Sequence, residues 1–257
     1  MTSSSPTAPE RSSAVPDKII LILGGTKEAA EIAARLSIRP GLGVITALAG
    51  RTKEPAPLSG EVRTGGFGGA DGLAAYLTEH RIGLLIDATH PFAATMSANA
   101  RLAASSTGTR LIRLERPPWQ AEADDLWTTV RTLEDAARAL PAHARVLLAL
   151  GSQHIAIFET RPDCHFVVRM VDAPTQRLPL VSHDLILSKP SADPAAEAEL
   201  LRQHAITHIV CRNSGGSGAY AKIIAARQMH IPVVMVGKQG MASGDSVDSV
   251  EAVIALT

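Results

Sequence analysis

The amino-acid sequence predicts a doubly wound α/β fold, in which parallel strands are covered by helices on both faces. Nine short apolar runs recur along the 257 residues, and segments of helical length separate most of them. Strands buried on both faces are continuously apolar, as these runs are, and a parallel βαβ unit needs a helix-length connection. The predicted strands are residues 18–24, 43–50, 83–90, 109–114, 145–151, 166–171, 184–188, 207–211 and 231–237.

The segments between these strands have the pattern of amphipathic helices. In residues 26–37, "TKEAAEIAARLS", the apolar side chains share one helical stripe and the charged ones lie mostly opposite. Residues 196–206 and 218–229 repeat this pattern. The stretch 114–129, "LERPPWQAEADDLWTT", is different because its two prolines break any helix, and we expect the chain to cross there between two domains.

The composition argues against several classes of protein. Its 25 Lys and Arg balance 25 Asp and Glu, and only 3% of residues are aromatic, so we expect neither nucleic acid nor a membrane surface as partner. The two cysteines make no disulfide framework and suit the cytoplasm, where we place the protein. Residues 1–17 are rich in Ser and Pro without an apolar run, which predicts a disordered leader on a soluble protein.

A glycine turn joins the first strand to the first helix. It reads Gly24, Gly25, Thr26, so Thr26 and Ala29 replace the second and third glycines of the dinucleotide motif G-x-G-x-x-G. Glycine allows close approach to an anion, Thr26 can cap the helix, and helical N-terminal amides attract phosphate. The turn predicts a phosphate site with the Thr26 hydroxyl directed at the phosphate; an ordinary tight turn is the alternative.

The end of the second predicted strand indicates which nucleotide is bound. An acidic residue there bonds the ribose of NAD, whereas an arginine accommodates the 2′-phosphate of NADP. This chain has Gly50, Arg51, Thr52 and Lys53, with no acidic residue before Glu54. The pattern favours NADPH, the alternative being solvated cations in a loop.

Three further features carry candidate chemistry. Residues 65–69, "GGFGG", predict a cofactor-facing loop or else a plain turn. Asp87, Thr89 and His90 end a strand where side chains face the ligand crevice, and Pro91 is expected to begin the next helix. Residues 211–223, "CRNSGGSGAYAKI", form a second glycine-rich turn that either binds an anion or is simply tight. No metal site is expected, since "HAITH" (204–208) lacks the glutamate of zinc proteases.

In order along the chain, the motifs "LGGTKEAAEIA", "ALAGRT", "VRTGGFGGADGLAAYL", "DATHPFAATMSANA", "RPPW", "GSQ" and "NSGGSGAYAKIIAAR" resemble the precorrin-6A reductase family of cobalamin biosynthesis. The resemblance spans residues 18 to about 236. It implies two Rossmann-like domains with the active site in the cleft between them. It also implies hydride transfer from NADPH to the tetrapyrrole macrocycle of precorrin-6A, giving precorrin-6B.

The resemblance implies the site residues as well. His90 is the candidate catalytic residue, as proton donor. The alternatives are a hydroxyl, or a proton taken from solvent with no strong acid supplied by the protein. The expected cofactor-binding residues are Gly24, Gly25, Thr26, Arg51, Thr52, Gly66, Phe67, Gly68 and Thr89. The expected substrate-binding residues are Ser97, Arg116, Ser152, Gln153, Arg212, Ser214, Gly215 and Lys222. The chain departs from the family pattern at Arg212, where lysine is usual, and at residues 237–240, "GKQG", where Arg-Pro is usual.

We expect an NADPH-binding domain at residues 18–115 and a second domain at residues 116–257. The final stretch, 246–257, is interpreted as a strand that completes either sheet. Two other functions stay open at this point: an NADPH-dependent reductase of a different small substrate, and a non-catalytic NADPH-binding module.

Overall fold

The computed structural model describes residues 16–50, 57–151, 154–238 and 246–257. They form two six-stranded sheets in which every strand pair is parallel. Apolar side chains of the helices pack against both faces of each sheet. This confirms the predicted fold class, two doubly wound α/β domains.

The first sheet has the strand order β12-β5-β4-β1-β2-β3. Its strands are β1 (Lys18–Leu23), β2 (Leu42–Leu48), β3 (Glu61–Thr64), β4 (Ile82–Asp87), β5 (Arg110–Leu114) and β12 (Ser246–Val247). The helices packed on it are α1 (Lys27–Ser37), α2 (Gly69–Glu79), α3 (Ala94–Thr107) and α7 (Val250–Ala255). The strand order reverses between β1 and β4, which is where open α/β sheets bind ligands.

The second sheet has the order β6-β11-β10-β7-β8-β9. Its strands are β6 (Trp127–Val130), β7 (Arg145–Ala149), β8 (His165–Met170), β9 (His183–Leu187), β10 (His208–Arg212) and β11 (Val233–Val236). Its helices are α4 (Leu133–Ala139), α5 (Pro194–Gln203) and α6 (Ala221–Gln228), with a 3₁₀ helix at Ala156–Thr160. Its strand order reverses between β7 and β10, as the first sheet's does between β1 and β4.

All nine predicted strands are present, and the sequence analysis missed two others, β3 and β6. Both lie at the edge of a sheet and have four residues. Edge strands have one exposed side, so they lack the continuous apolar run that marks a buried strand.

The two sheets exchange their outer strands. The chain leaves the first sheet after β5 and enters the second directly at β6, which pairs with β11. It returns at its end, where β12 pairs with β5 of the first sheet. The division of the chain at residue 116 stays a prediction, but the last strand and helix pack with the first sheet.

The C-terminal stretch is mostly helical, so the expectation of a strand over residues 246–257 was wrong. Only Ser246–Val247 is extended, and α7 follows. The reason is local: Ser249 accepts a hydrogen bond from the Ala252 amide and caps the helix. Val250, Val253 and Ile254 then repeat with the period of one helical face and bury that face in the first core.

Two further properties bear on the predicted surroundings of the protein. Cys164 and Cys211 are both buried free thiols. Among the described helices, none has the length and apolar character needed to span a bilayer.

The C-terminal helix should contribute measurably to the stability of the first domain. Val253 is fully buried in the core that contains α1, whereas Leu256 is 43% exposed. We expect Val253→Ala to lower the free energy of unfolding by about 2 kcal/mol, because two buried methyl groups are lost and a cavity remains. Leu256→Ala should change it by less than about 0.5 kcal/mol. Urea unfolding monitored by circular dichroism measures both, and equal effects would contradict the packing described.

Candidate active site

The first glycine turn (residues 24–26) connects β1 to α1 at the point where the strand order reverses. The Gly24 amide donates to the Ala47 carbonyl of β2, and a Cβ at Gly24 would lie 2.8 Å from Thr46 Cγ2. Gly25 has φ +101°, a conformation that other residues rarely adopt, and no atom lies within 4 Å of where its Cβ would be. The turn therefore presents open backbone at the N-terminus of α1.

Thr26 caps α1, as predicted, but its hydroxyl is not directed at a phosphate. The Thr26 Oγ1 accepts from the Ala29 amide at 3.1 Å and donates to the Ala88 carbonyl at 2.8 Å. The hydroxyl proton is thus used to tie α1 to the end of β4. That part of the prediction was wrong because the sequence does not show that the Ala88 carbonyl lies beside Thr26.

The GGFGG loop (residues 65–69) lies next to the end of β2. Its Gly65 amide donates to the Leu48 carbonyl at 2.9 Å. Gly65, Gly68 and Gly69 have φ between +82° and +113°. No atom lies within 4 Å of a Cβ placed at any of the four glycines of the loop. The loop thus resembles the first glycine turn in offering uncovered backbone.

The end of β4 presents Thr89 and His90. Buried Asp87 accepts from both the amide and the hydroxyl of Thr89, at 3.2 and 2.6 Å, and so fixes that side chain. Pro91 does not begin a helix, contrary to expectation, and α3 starts three residues later at Ala94. The amides of Phe92 and Ala93 bond back to His90 and form a turn instead.

Residues 213–216 of the second glycine-rich turn contact residues 116–119, part of the stretch in which the chain crosses from the first sheet to the second. These four residues are called the crossing below. Asn213 accepts from the Trp119 amide at 2.7 Å and donates to its carbonyl at 2.9 Å, and the Trp119 indole donates to the Gly216 carbonyl at 2.7 Å. A Cβ at Gly215 would lie 2.2 Å from the Pro117 carbonyl oxygen. The passing chain therefore requires glycine at position 215, whereas anion binding by this turn stays a prediction.

The crossing also joins the two glycine turns. Arg116 forms an ion pair of 2.7 Å with Glu28 in the first turn of α1, and both side chains are largely buried. A Cβ at Gly216 would lie 2.8 Å from the Glu28 carboxylate. A cavity of about 800 Å³ adjoins this junction and is lined by Arg116, Lys238 and Pro91, the neighbour of His90. Its volume is within the range of small-molecule sites in general.

His90 is surrounded by cations. Loss of hydration, followed by repulsion from Arg116, Arg212 and Lys222, lowers the pKa of His90 to about 4, and Glu28 opposes this only in part. His90 is nevertheless an exposed residue, and with this pKa it carries no charge at neutral pH. Its Nδ1 accepts from the Phe92 amide at 3.3 Å, which leaves the proton of the neutral ring on Nε2.

The predicted substrate cations differ in their surroundings. Arg212 lies 4.9 Å from the centre of the Phe92 ring, burial lowers its pKa, and within the described part of the chain it has no carboxylate partner. Lys222 is 4% exposed, donates to the Ala219 carbonyl at 2.7 Å and lies 5.0 Å from the centre of the Trp119 ring. Burial lowers the pKa of Lys222 as well.

The remaining predicted residues divide into buried ones and ones that cannot be placed. Ser97 on α3 is 3% exposed and Ser214 is 9% exposed. Arg51, Thr52, Ser152 and Gln153 lie outside the described residues, as do the last two residues of the "GKQG" stretch. Within the described ranges, His, Cys, Asp and Glu side chains form no group that could hold a metal ion.

Comparison with known proteins shows the family to which the chain belongs. The family model for precorrin-6x reductase CbiJ/CobK matches residues 19–257. The chain belongs to this reductase family.

Relatives agree with the assignment over nearly the whole chain. The precorrin-6A reductase of Rhodobacter capsulatus is 43% identical over 236 residues, which are 91% of this chain and 94% of that protein. The precorrin-6A reductase of a Sinorhizobium species is 46% identical over 90% of this chain and 88% of its own. The solved structure of CobK precorrin-6A reductase is 42% identical and superimposes with a TM-score of 0.89, covering 93% of this chain and 95% of that one.

Two residues of this reductase that shape the site were missed by the sequence analysis. Arg63 on β3 donates to the carbonyls of Gly65 and Gly66. Gly72 on α2 leaves room for the Phe67 carbonyl, which would lie 1.7 Å from a Cβ there. The sequence signal for Arg63 was its position two residues before the GGFGG loop. It was not recognised because a charged residue near an exposed loop is ordinarily solvated and makes no specific contact.

The electrostatic description of this reductase's His90 can be tested by titration. We expect two-dimensional NMR of the histidine ring nitrogens to show His90 neutral, with the proton on Nε2, down to about pH 4. In Arg212→Ala its pKa should rise toward the usual value of about 6.5, because one repelling charge and some burial are removed. Arg110→Ala removes an arginine at the opposite end of the first sheet and should leave it unchanged. A His90 pKa near 6.5 in the unmodified protein would contradict this description.

Proposed function

We propose that this chain catalyses the NADPH-dependent reduction of precorrin-6A to precorrin-6B. One observation carries the proposal beyond family membership: a neutral histidine and Arg212, which has no carboxylate partner among the described residues, lie near the start of α1, where the first glycine turn leaves its backbone uncovered. Uncovered glycine backbone suits the phosphates of a dinucleotide, and unpaired cations suit a substrate rich in carboxylates.

The residues present fit a dinucleotide. The first glycine turn and the N-terminal amides of α1 would hold the pyrophosphate, with the Thr26 hydroxyl holding the helix rather than the ligand. The backbone of Gly66, Phe67 and Gly68 would border the adenosine half, beside the end of β2. Arg51 and Thr52 would bind the 2′-phosphate, which NADPH carries and NADH lacks. When bound, the nicotinamide supplies the hydride.

The cations would bind and orient the macrocycle. Arg212 is free to pair with a side-chain carboxylate of the substrate, and a guanidinium can do so through two hydrogen bonds. Arg116 is paired with Glu28, so a substrate carboxylate would share or displace that partner. Lys222 is buried and would act through its charge rather than by contact. Ser214 and Gly215 would border the same region through the backbone.

His90 would begin as a hydrogen-bond donor and become a proton donor only in the complex. Carboxylates placed beside Arg116 and Arg212 would offset the repulsion that now lowers its pKa. The pKa of His90 would then rise toward neutrality, where a general acid is most effective. Thr89, held by Asp87, offers a second hydroxyl near this position.

The reaction itself is tested by mixing the protein with NADPH and precorrin-6A without oxygen. We expect the nicotinamide absorbance to fall in step with the loss of the substrate's macrocycle band, and neither change without protein. Absence of NADPH oxidation would overturn the proposal. Oxidation by simple carbonyl compounds, but not by precorrin-6A, would indicate a reductase of another substrate.

The choice of nucleotide is tested by Arg51→Ala. We expect the dissociation constant for NADPH to rise roughly tenfold or more, because a charged hydrogen bond to the phosphate is lost, and that for NADH to stay nearly unchanged. Isothermal titration calorimetry measures both constants, with Arg110→Ala as a control that removes an equal charge far from the turn. Equal losses for the two nucleotides would refute the 2′-phosphate assignment.

A further inference from the structure

We propose that Arg63 is a positioning residue for the nucleotide: it holds the GGFGG loop so that two of its amides face the adenosine half of the cofactor. This inference rests on the proposed function. Arg63 lies on the edge strand β3, two residues before the loop, and its side chain is half-buried.

Arg63 grips the loop from one side by two hydrogen bonds and a ring contact. Its Nη1 donates to the Gly65 carbonyl at 2.6 Å and its Nη2 to the Gly66 carbonyl at 2.9 Å. The guanidinium carbon lies 3.9 Å from the centre of the Phe67 ring, a cation–π distance. Three consecutive residues of the loop are thereby held by one planar side chain.

These hydrogen bonds fix the direction in which the loop N–H groups point. In a trans peptide the carbonyl and the following N–H point in opposite directions. Since the Gly65 and Gly66 carbonyls face Arg63, the N–H groups of Gly66 and Phe67 face away from it. Neither N–H has an acceptor among the hydrogen bonds of the described residues. Two uncommitted donors side by side are suited to an acceptor of a ligand.

The loop is also held by α2. The Phe67 carbonyl lies over Gly72, where no Cβ could fit, and the Phe67 ring meets the Tyr76 ring edge to face at 5.2 Å. Glycine loses more conformational freedom on ordering than any other residue, so four glycines would otherwise be costly to hold in one form. Arg63 and α2 together supply that order before the ligand arrives.

The position of the loop identifies the part of the ligand. A Cβ at Gly50, the residue before Arg51, would lie 3.3 Å from the Thr64 side chain. The 2′-phosphate of the adenosine ribose is recognised at the end of the second strand in dinucleotide folds. The two amides therefore border the adenosine half, which NADPH and NADH share apart from that phosphate.

Arg63→Ala tests the inference by calorimetry with each nucleotide. We expect the dissociation constants for NADPH and for NADH to rise by the same factor, roughly tenfold, because the loop must then be ordered by the ligand. In the reaction with precorrin-6A, the KM for NADPH should rise while kcat stays close to that of the unmodified enzyme. Arg110→Ala, which also loses an arginine bonded to a backbone carbonyl, is the matched control.

A second readout needs no nucleotide. Hydrogen exchange followed by mass spectrometry should show faster exchange in the peptide that covers residues 65–69 of Arg63→Ala than in the unmodified protein. Arg63→Lys keeps the charge but not the planar pair of donors, so we expect partial recovery of both affinity and protection. If Arg63→Ala does not fold, the test rests on Arg63→Lys. Its dissociation constants for NADPH and NADH should then both rise, and by the same factor.

Each outcome separates the two proposals. Failure of the unmodified protein to bind NADPH would overturn the proposed function itself. Unchanged affinity and exchange in Arg63→Ala, with normal binding by the unmodified protein, would overturn only the role of Arg63. A loss confined to NADPH would also overturn it, since Arg63 would then bind the 2′-phosphate directly.

Discussion

The close passage of the chain crossing over the second glycine-rich turn is the constraint on which the rest of the site depends. The Pro117 carbonyl occupies the space where any side chain at Gly215 would begin, and Trp119 is held by Asn213 and Gly216. Because the crossing is fixed there, Arg116 reaches Glu28 of the first domain. The exchange of outer strands ties the sheets at a second point, through β12. The cavity beside Arg116 is therefore bordered by segments that the chain itself carries from one domain to the other.

The two domains use the same local motif for different ends. Each has a parallel strand, a glycine-rich turn and a helix at the reversal of its strand order. In the first domain the space beside Gly25 is open, whereas in the second Gly215 is covered by the chain itself. One turn is left uncovered, and the other holds the segment that carries Arg116.

Electrostatics in the cleft point to a substrate that carries negative charge. A protein of zero formal net charge places Arg116, Arg212 and Lys222 near one histidine, and their repulsion adds to loss of hydration in lowering its pKa to about 4. Buried or half-buried cations without full pairing reduce stability unless a ligand supplies the counter-charge. The same cations help to keep His90 uncharged while no counter-charge is present.

The sequence by itself determined the fold class, the family and most of the central strands, because continuous apolar runs and glycine turns are local patterns set by burial and backbone freedom. It also found the histidine at the end of β4. Only the tertiary structure decided that the Thr26 hydroxyl bonds Ala88, that Gly215 receives Pro117, that β12 joins the first sheet and that Arg63 grips the GGFGG loop. These are contacts between groups on different elements or across a turn, and their partners are chosen by how strands and loops pack together, which residue spacing alone does not encode.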